Sequence, residues 1–148
     1  MGINEAQTIL WKGEEIMQTF LPYSSFQKSA ECLDYKRLGK QRVEALTLLE
    51  AITSGNGWSK HPCAKMWKDY PEALIKYYNI VVTEWERRGY KNSMQKFVIA
   101  GNIKYPPFVG NEEFHNSHKS NLLRKDPQYY GKFGWDVTDD LPYVWEAE

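Results

Sequence analysis

Apolar and polar positions along this chain recur mainly at helical spacing. In residues 33–52, LDYKRLGKQRVEALTLLEAI, Leu33, Arg37, Lys40 and Glu44 fall at i, i+4, i+7 and i+11 and share one stripe. A second stripe, Leu38, Ala45, Leu48, Leu49 and Ile52, is apolar and wide enough to face a core. Ser24 or Ser25 is suited to cap a helix that breaks near Asp34, resumes, and runs to about Thr53, with Gly55 as its stop. Gly39 lies inside this helix at a cost of about 1 kcal/mol against alanine, which implies close approach by another group. After a loop at 54–58, His61-Pro62 opens a short helix through Met66 and Trp67. Pro71 starts another, whose face is Leu74, Tyr77, Tyr78, Val81, Val82 and Trp85; Arg87 and Arg88 suit its C-terminal dipole and Gly89 ends it. Residues 93–100 fit one more short helix or a strand.

Pro106-Pro107 breaks the chain, and Asn111 caps a helix carrying Phe114, His115, His118, Leu122 and Leu123. Its first turn holds Glu112 and Glu113 and its last Arg124 and Lys125, the order that the helix dipole favours. An aromatic and glycine loop, YYGKFGW, follows, and the tail at 141–145 is placed to dock back onto the body. There are no repeats, no clean strand alternation and no linker long enough to divide the chain. The expected fold is all-α: a compact single-domain bundle of roughly four to six helices with a long aromatic-rich C-terminal loop.

The first sixteen residues, MGINEAQTILWKGEEI, look unlike the rest. They read either as a short element docked through Ile9, Leu10 and Trp11, or as an upstream over-extension of a protein that starts at Met17. In the second case Lys-Gly-Glu-Glu-Ile would be the translation of a purine-rich ribosome-binding run. The expected division is an N-terminal extension at 1–16 and one helical domain at 17–148.

Composition changes the picture in two places. Six Trp, ten Tyr and six Phe exclude a disordered chain and leave flat side chains for packing or base stacking. A net charge of zero argues against a polyanion partner until its distribution is considered. With 1–16 and 136–148 set aside, 18 bases face 11 acids, a net of +7 between two acidic ends. Cys32 and Cys63 have no CxxC spacing, so free thiols in a reduced, cytoplasmic setting are expected. No stretch approaches the length of a membrane span, and no membrane partner is expected.

Candidate chemistry concentrates in the charged half of the 33–52 helix. Asp34, Lys36, Arg37, Lys40, Arg42 and Glu44 lie within eleven residues. Positive neighbours favour the ionised form of Glu44, which suits it to stabilise a cation, orient an amine or shuttle a proton. The alternative is a solvated face with pairs such as Lys40 with Glu44. His61 reads either as a helix cap or as a proton-transfer group. His115 and His118 have the spacing of a chelating pair but no third ligand at a recognised spacing, so no metal or cofactor is expected. In KSNLLRKDPQYYGK, Lys119, Arg124, Lys125 and Lys132 interleave with Tyr129 and Tyr130, which reads as stacking with phosphate contacts or as an ordinary helix end. No P-loop, GxGxxG, GxSxG or HExxH motif occurs.

The order of these pieces resembles the pyrimidine-dimer DNA glycosylase family, the phage endonuclease V type. The likeness runs through Leu33-Asp34, Arg37-Leu38, Arg42-Val43-Glu44, His61-Pro62, Glu84-Trp85-Glu86-Arg87-Arg88-Gly89-Tyr90 and the late Tyr-Tyr-Gly-Lys stretch, over about 17–132. It implies an all-α monomer that binds damaged duplex DNA, where an amine attacks C1′ of the lesion's sugar, releases the base as an imine forms, and cuts the strand by β-elimination. On this resemblance Glu44 is the helix glutamate that assists imine formation and elimination, and Arg42, Arg37 and Lys40 lie where the family's arginines hold phosphates. With the residues read above, the expected catalytic set is Glu44, Arg42, Arg37 and His61, and the expected duplex contacts are Lys36, Lys40, His118, Lys119, Arg124, Lys125, Tyr129, Tyr130 and Lys132. Family members use the amine exposed at a small residue by methionine removal, whereas here the matching segment opens at Met17-Gln18-Thr19 behind sixteen residues. Either processing exposes an amine, or a lysine such as Lys36 or Lys40 takes over, or lyase chemistry is absent. The expectation is thus a DNA-repair N-glycosylase of damaged or modified pyrimidines, with or without AP-lyase activity. Its rivals are a nucleic-acid-binding module that kept the fold and an enzyme on free nucleotides or nucleosides.

Overall fold

The computed structural model describes residues 17–145, and the two readings of 1–16 lie outside them. The described residues hold six α-helices, α1 (Phe26–Cys32), α2 (Tyr35–Ser54), α3 (Pro62–Trp67), α4 (Pro71–Arg87), α5 (Glu112–Lys125) and α6 (Pro127–Tyr130). Single 3-10 turns lie at Gly57–Lys60 and Gly131–Phe133, and no strand occurs among the described residues. The all-α expectation therefore holds.

Local chemistry accounts for the helix ends. Ser25 Oγ accepts from Lys28 N at 3.1 Å to cap α1. Leu33 and Asp34 then turn extended, and the Asp34 carboxylate caps α2 by accepting from Arg37 N. One continuous apolar pattern thus becomes two helices, because Asp34 satisfies the orphan N–H groups of a new start. Gly55 ends α2 in the left-handed region at φ 70°.

Helices α2 and α4 run antiparallel, with Gly39 against Trp85 near one end and Gln41 against Tyr77 further along. A Cβ at Gly39 would stand 2.9 Å from the Trp85 ring, which is the close approach its presence implied. α1 packs across α4 through Phe26 and Tyr77. Its C-terminal carbonyls at Ala30 and Glu31 accept from Arg88, whose Nε also meets the buried Glu84 carboxylate at 2.8 Å. Burial pushes Glu84 upward, but Arg87 and Arg88 more than offset this and hold it below the usual carboxylate range.

Residues 93–100 form neither helix nor strand. They run irregularly along α4, where Asn79 presents its amide to both the N–H and the C=O of Phe97 and Tyr78 donates to Gln95 O. Side chains supply the partners that a neighbouring strand would have given. The tail docks as expected: Leu141 N and Val144 N donate to Ser120 Oγ and Ser117 Oγ on α5, and Tyr143 lies on His118.

Candidate active site

The site is built around an extended segment, residues 17–21, threaded between α2, α4 and α5 and almost wholly buried. Such a segment has no ladder of its own, so its backbone groups must find other partners. Side chains provide them. Gln41 Nε2 donates to Gln18 O at 2.6 Å, and Gln41 Oε1 accepts from Phe20 N at 3.0 Å. Tyr77 OH donates to Phe20 O at 2.9 Å and also abuts Gln41 Oε1. His118 Nδ1 accepts from Leu21 N at 2.9 Å, while His115 Nδ1 lies 2.7 Å from Leu21 O. Trp67 Nε1 donates to Thr19 Oγ1 at 3.0 Å.

One further group, the Gln18 N–H, donates to Glu44 Oε2 at 2.9 Å. Glu44 is only 9 % exposed and stands in a cleft of about 110 Å³ with Gln18, Phe20, Lys36, Arg37, Lys40 and Lys125. A larger hollow of about 270 Å³, lined by Phe26, Lys76 and Tyr105 among others, lacks any carboxylate and lies apart from this chemistry. Arg37 is aimed by Asp34, with Nη1 to Oδ1 at 3.2 Å. Asp34 in turn accepts from the Tyr130 hydroxyl, and its own N–H donates back to that oxygen at 3.0 Å. Burial raises Asp34, but Tyr130 and Arg37 prevail and hold it below the ordinary carboxylate value.

The structure brings together Glu44, Arg37, Lys36, Lys40 and Lys125 from the residues singled out in sequence, the last from the end of α5. It does not bring the others. Arg42 turns to the opposite side of α2, its guanidinium 4.1 Å from the Trp85 ring centroid and Nη1 donating to Asn92. His61 is buried, accepts from Cys63 N through Nδ1 to cap α3, and is lowered to about 4 by burial. It thereby makes the helix cap that its place before Pro62 suggested. His118 is fully buried against Phe114 and Tyr143, and burial lowers it to about 3. Enclosed there, it holds Leu21 N. Tyr130 likewise is a core residue rather than a stacking surface. Tyr129 is half-buried with Lys132 Nζ 3.7 Å above its ring, Lys119 sits over Tyr23, and Arg124 donates to Asp139 O at 2.6 Å.

Sequence reasoning missed Gln41 and the backbone of Gln18. A signal existed for the first: Gln41 interrupts the apolar run Leu38, Ala45, Leu48 on the core side of α2, and a buried amide there needs partners. Cys32 and Cys63 are free thiols, both buried and both pushed up to about 12 by that burial. Among the described residues no three His, Cys, Asp or Glu side chains converge as a metal site. No described helix is long and apolar enough to cross a membrane.

Comparison with known proteins supplies one finding. The family model for pyrimidine dimer DNA glycosylase matches residues 17–98, more than half of the chain, and it begins at the threaded segment and spans the Glu44 cleft apart from Lys125. No curated protein and no solved structure matches. By that match the chain belongs to the pyrimidine dimer DNA glycosylase family, a family of DNA-repair glycosylases.

Proposed function

We propose that this protein is an N-glycosylase that removes a damaged or modified pyrimidine from duplex DNA and, where a primary amine stands beside Glu44, cuts the strand as an AP lyase. One observation carries the reading: a backbone nitrogen, that of Gln18, is held 2.9 Å from a buried carboxylate in a cleft rimmed by four cations. As a peptide amide this nitrogen is no nucleophile, because its lone pair is delocalised into the carbonyl. Cleavage between Met17 and Gln18 would leave an α-amine at the same place. With a pKa near 8, against about 10.4 for a lysine, that amine is more readily deprotonated at neutral pH. Lys36 and Lys40 border the same cleft and are the alternative amines.

The amine nitrogen bonds to C1′ as the bond from C1′ to the base breaks, and the base leaves with a proton. Opening of the sugar gives the imine. A proton then leaves C2′ while the C3′–oxygen bond breaks, and water hydrolyses the imine to return the amine. Glu44 would accept the amine's proton and move protons at the sugar. Lys36, Arg37, Lys40 and Lys125 would hold the flanking phosphates, Arg37 kept in place through Asp34.

Borohydride reduction of reactions on dimer-containing and abasic duplexes tests this. A covalent protein–DNA adduct, lost in Glu44→Gln, is the expected result, and peptide mapping of the adduct identifies the nitrogen. Base release without an adduct would remove the lyase step. Salt-dependent duplex binding with neither would make the protein a binding module, and tight mononucleotide binding without duplex binding would point to free nucleotides as substrates.

A further inference from the structure

On the far side of α2 from the cleft lies an aromatic shelf that the proposed chemistry does not use. Its base is Trp85, held from three directions. Gly39 leaves room for the ring edge, the indole Nε1 donates to Lys91 O at 2.8 Å, and the Arg42 guanidinium lies over the ring. Two tyrosines rest on this fixed indole. Tyr35 is near parallel to it, with centroids 5.7 Å apart and planes 18° apart; Tyr90 stands 4.4 Å away at 35°. Both stay open, Tyr35 at 54 % and Tyr90 at 38 % exposure. A single exposed aromatic needs no explanation, but two that are oriented and stacked on a buried ring that carries a cation form a stacking surface.

Helix geometry links the shelf to the cleft. Successive residues turn by about 100°, so Arg37, Lys40 and Glu44 face one way and Tyr35, Gly39 and Arg42 the other, with Lys36 and Val43 between them on the exposed side. We propose that the Tyr35, Trp85 and Tyr90 shelf binds an unstacked nucleobase near the sugar that occupies the Glu44 cleft. The enzyme accordingly prefers DNA in which a neighbouring base is already unpaired. The inference rests on the proposed duplex-DNA substrate. A base leaving the stack loses contact on both faces, and the shelf returns a flat face together with the Arg42 charge. The tyrosine hydroxyls and the Arg42 guanidinium suit a nucleotide better than a continuous apolar partner.

The test uses duplexes with a tetrahydrofuran abasic analogue and 2-aminopurine two or three positions away, either paired or mismatched. The expected result is quenching on binding and a preference for the mismatched duplex. The Tyr35→Ala/Tyr90→Ala double variant should lose between about fivefold and a hundredfold in affinity for the mismatched duplex, and under about twofold for the paired one. Tyr35→Phe/Tyr90→Phe, which keeps the flat faces, should retain both the preference and the quenching. Should the alanine variant melt early, the wild-type quenching and the phenylalanine variant decide. Unquenched aminopurine, equal wild-type affinity for the two duplexes, or equal losses on both would overturn the shelf. A borohydride adduct dependent on Glu44 alongside any of those results sinks the shelf alone; selective quenching with no adduct and no base release on any lesion sinks the catalytic reading alone.

Discussion

Replacing Gln41 by leucine tests whether the threaded segment is held by side chains. The substitution keeps the approximate volume and removes both ends of the amide. Gln18 O loses the 2.6 Å donor and Phe20 N the 3.0 Å acceptor, both buried, whereas Phe20 O keeps Tyr77. A buried polar group left without its partner costs about 1–3 kcal/mol, so two such groups give about 2–6 kcal/mol. Against a typical total of about 5–15 kcal/mol this is a large fraction. At about 2–4 °C per kcal/mol for a chain of this size, the thermal midpoint should fall by about 10 °C. Urea unfolding followed by circular dichroism gives the free-energy change. A midpoint lowered by less than about 2 °C would refute the argument, because it would mean that the segment finds its partners elsewhere.

Three further outcomes are expected. His61 and His118 are lowered to about 4 and about 3 by burial, from an unfolded value near 6.5, so the unfolded chain binds more protons throughout that interval. The stability they contribute is complete above pH 6.5 and is lost as pH falls toward their folded values. The limiting slope is about 1.4 kcal/mol per pH unit for each ring, measurable by urea unfolding between pH 6.5 and 5; a flat profile there would contradict it. Glu84→Gln should cost about 2 kcal/mol, because a buried carboxylate that accepts from Arg87 and Arg88 becomes a neutral amide that cannot serve both; an unchanged urea midpoint would count against it. Lys125→Ala should lower the slope of log affinity against log salt for duplex DNA by about 0.9, equally across sequences, and no change in slope would take Lys125 out of the phosphate contacts.

The sequence by itself determined α1 to α5, their caps and their breaks, because these depend on neighbours a few residues apart, whereas the short turns Pro127–Tyr130 and Gly131–Phe133 lie in what reads as a loop. Ser25, Asp34, Asn111 and Gly55 act through groups one turn away, and the apolar stripe of α2 is a property of that helix alone. It also placed Glu44 with Arg37, Lys36 and Lys40, since residues at i, i+4 and i+8 on one helix must share a face. Only the tertiary structure decided what Glu44 meets. Gln18 lies 26 positions away, and its nitrogen reaches the carboxylate because Gln41, Tyr77, His115 and His118, from three helices, hold an extended strip with no sheet to join. The same holds for Arg42, whose charge alone suggested a phosphate but whose position on α2 turns it onto Trp85. It holds too for His61, His118 and Tyr130, whose polar ends satisfy buried backbone or carboxylate groups. Charge and periodicity are written locally in the chain; burial and hydrogen-bond partners depend on which distant segments the core brings into contact.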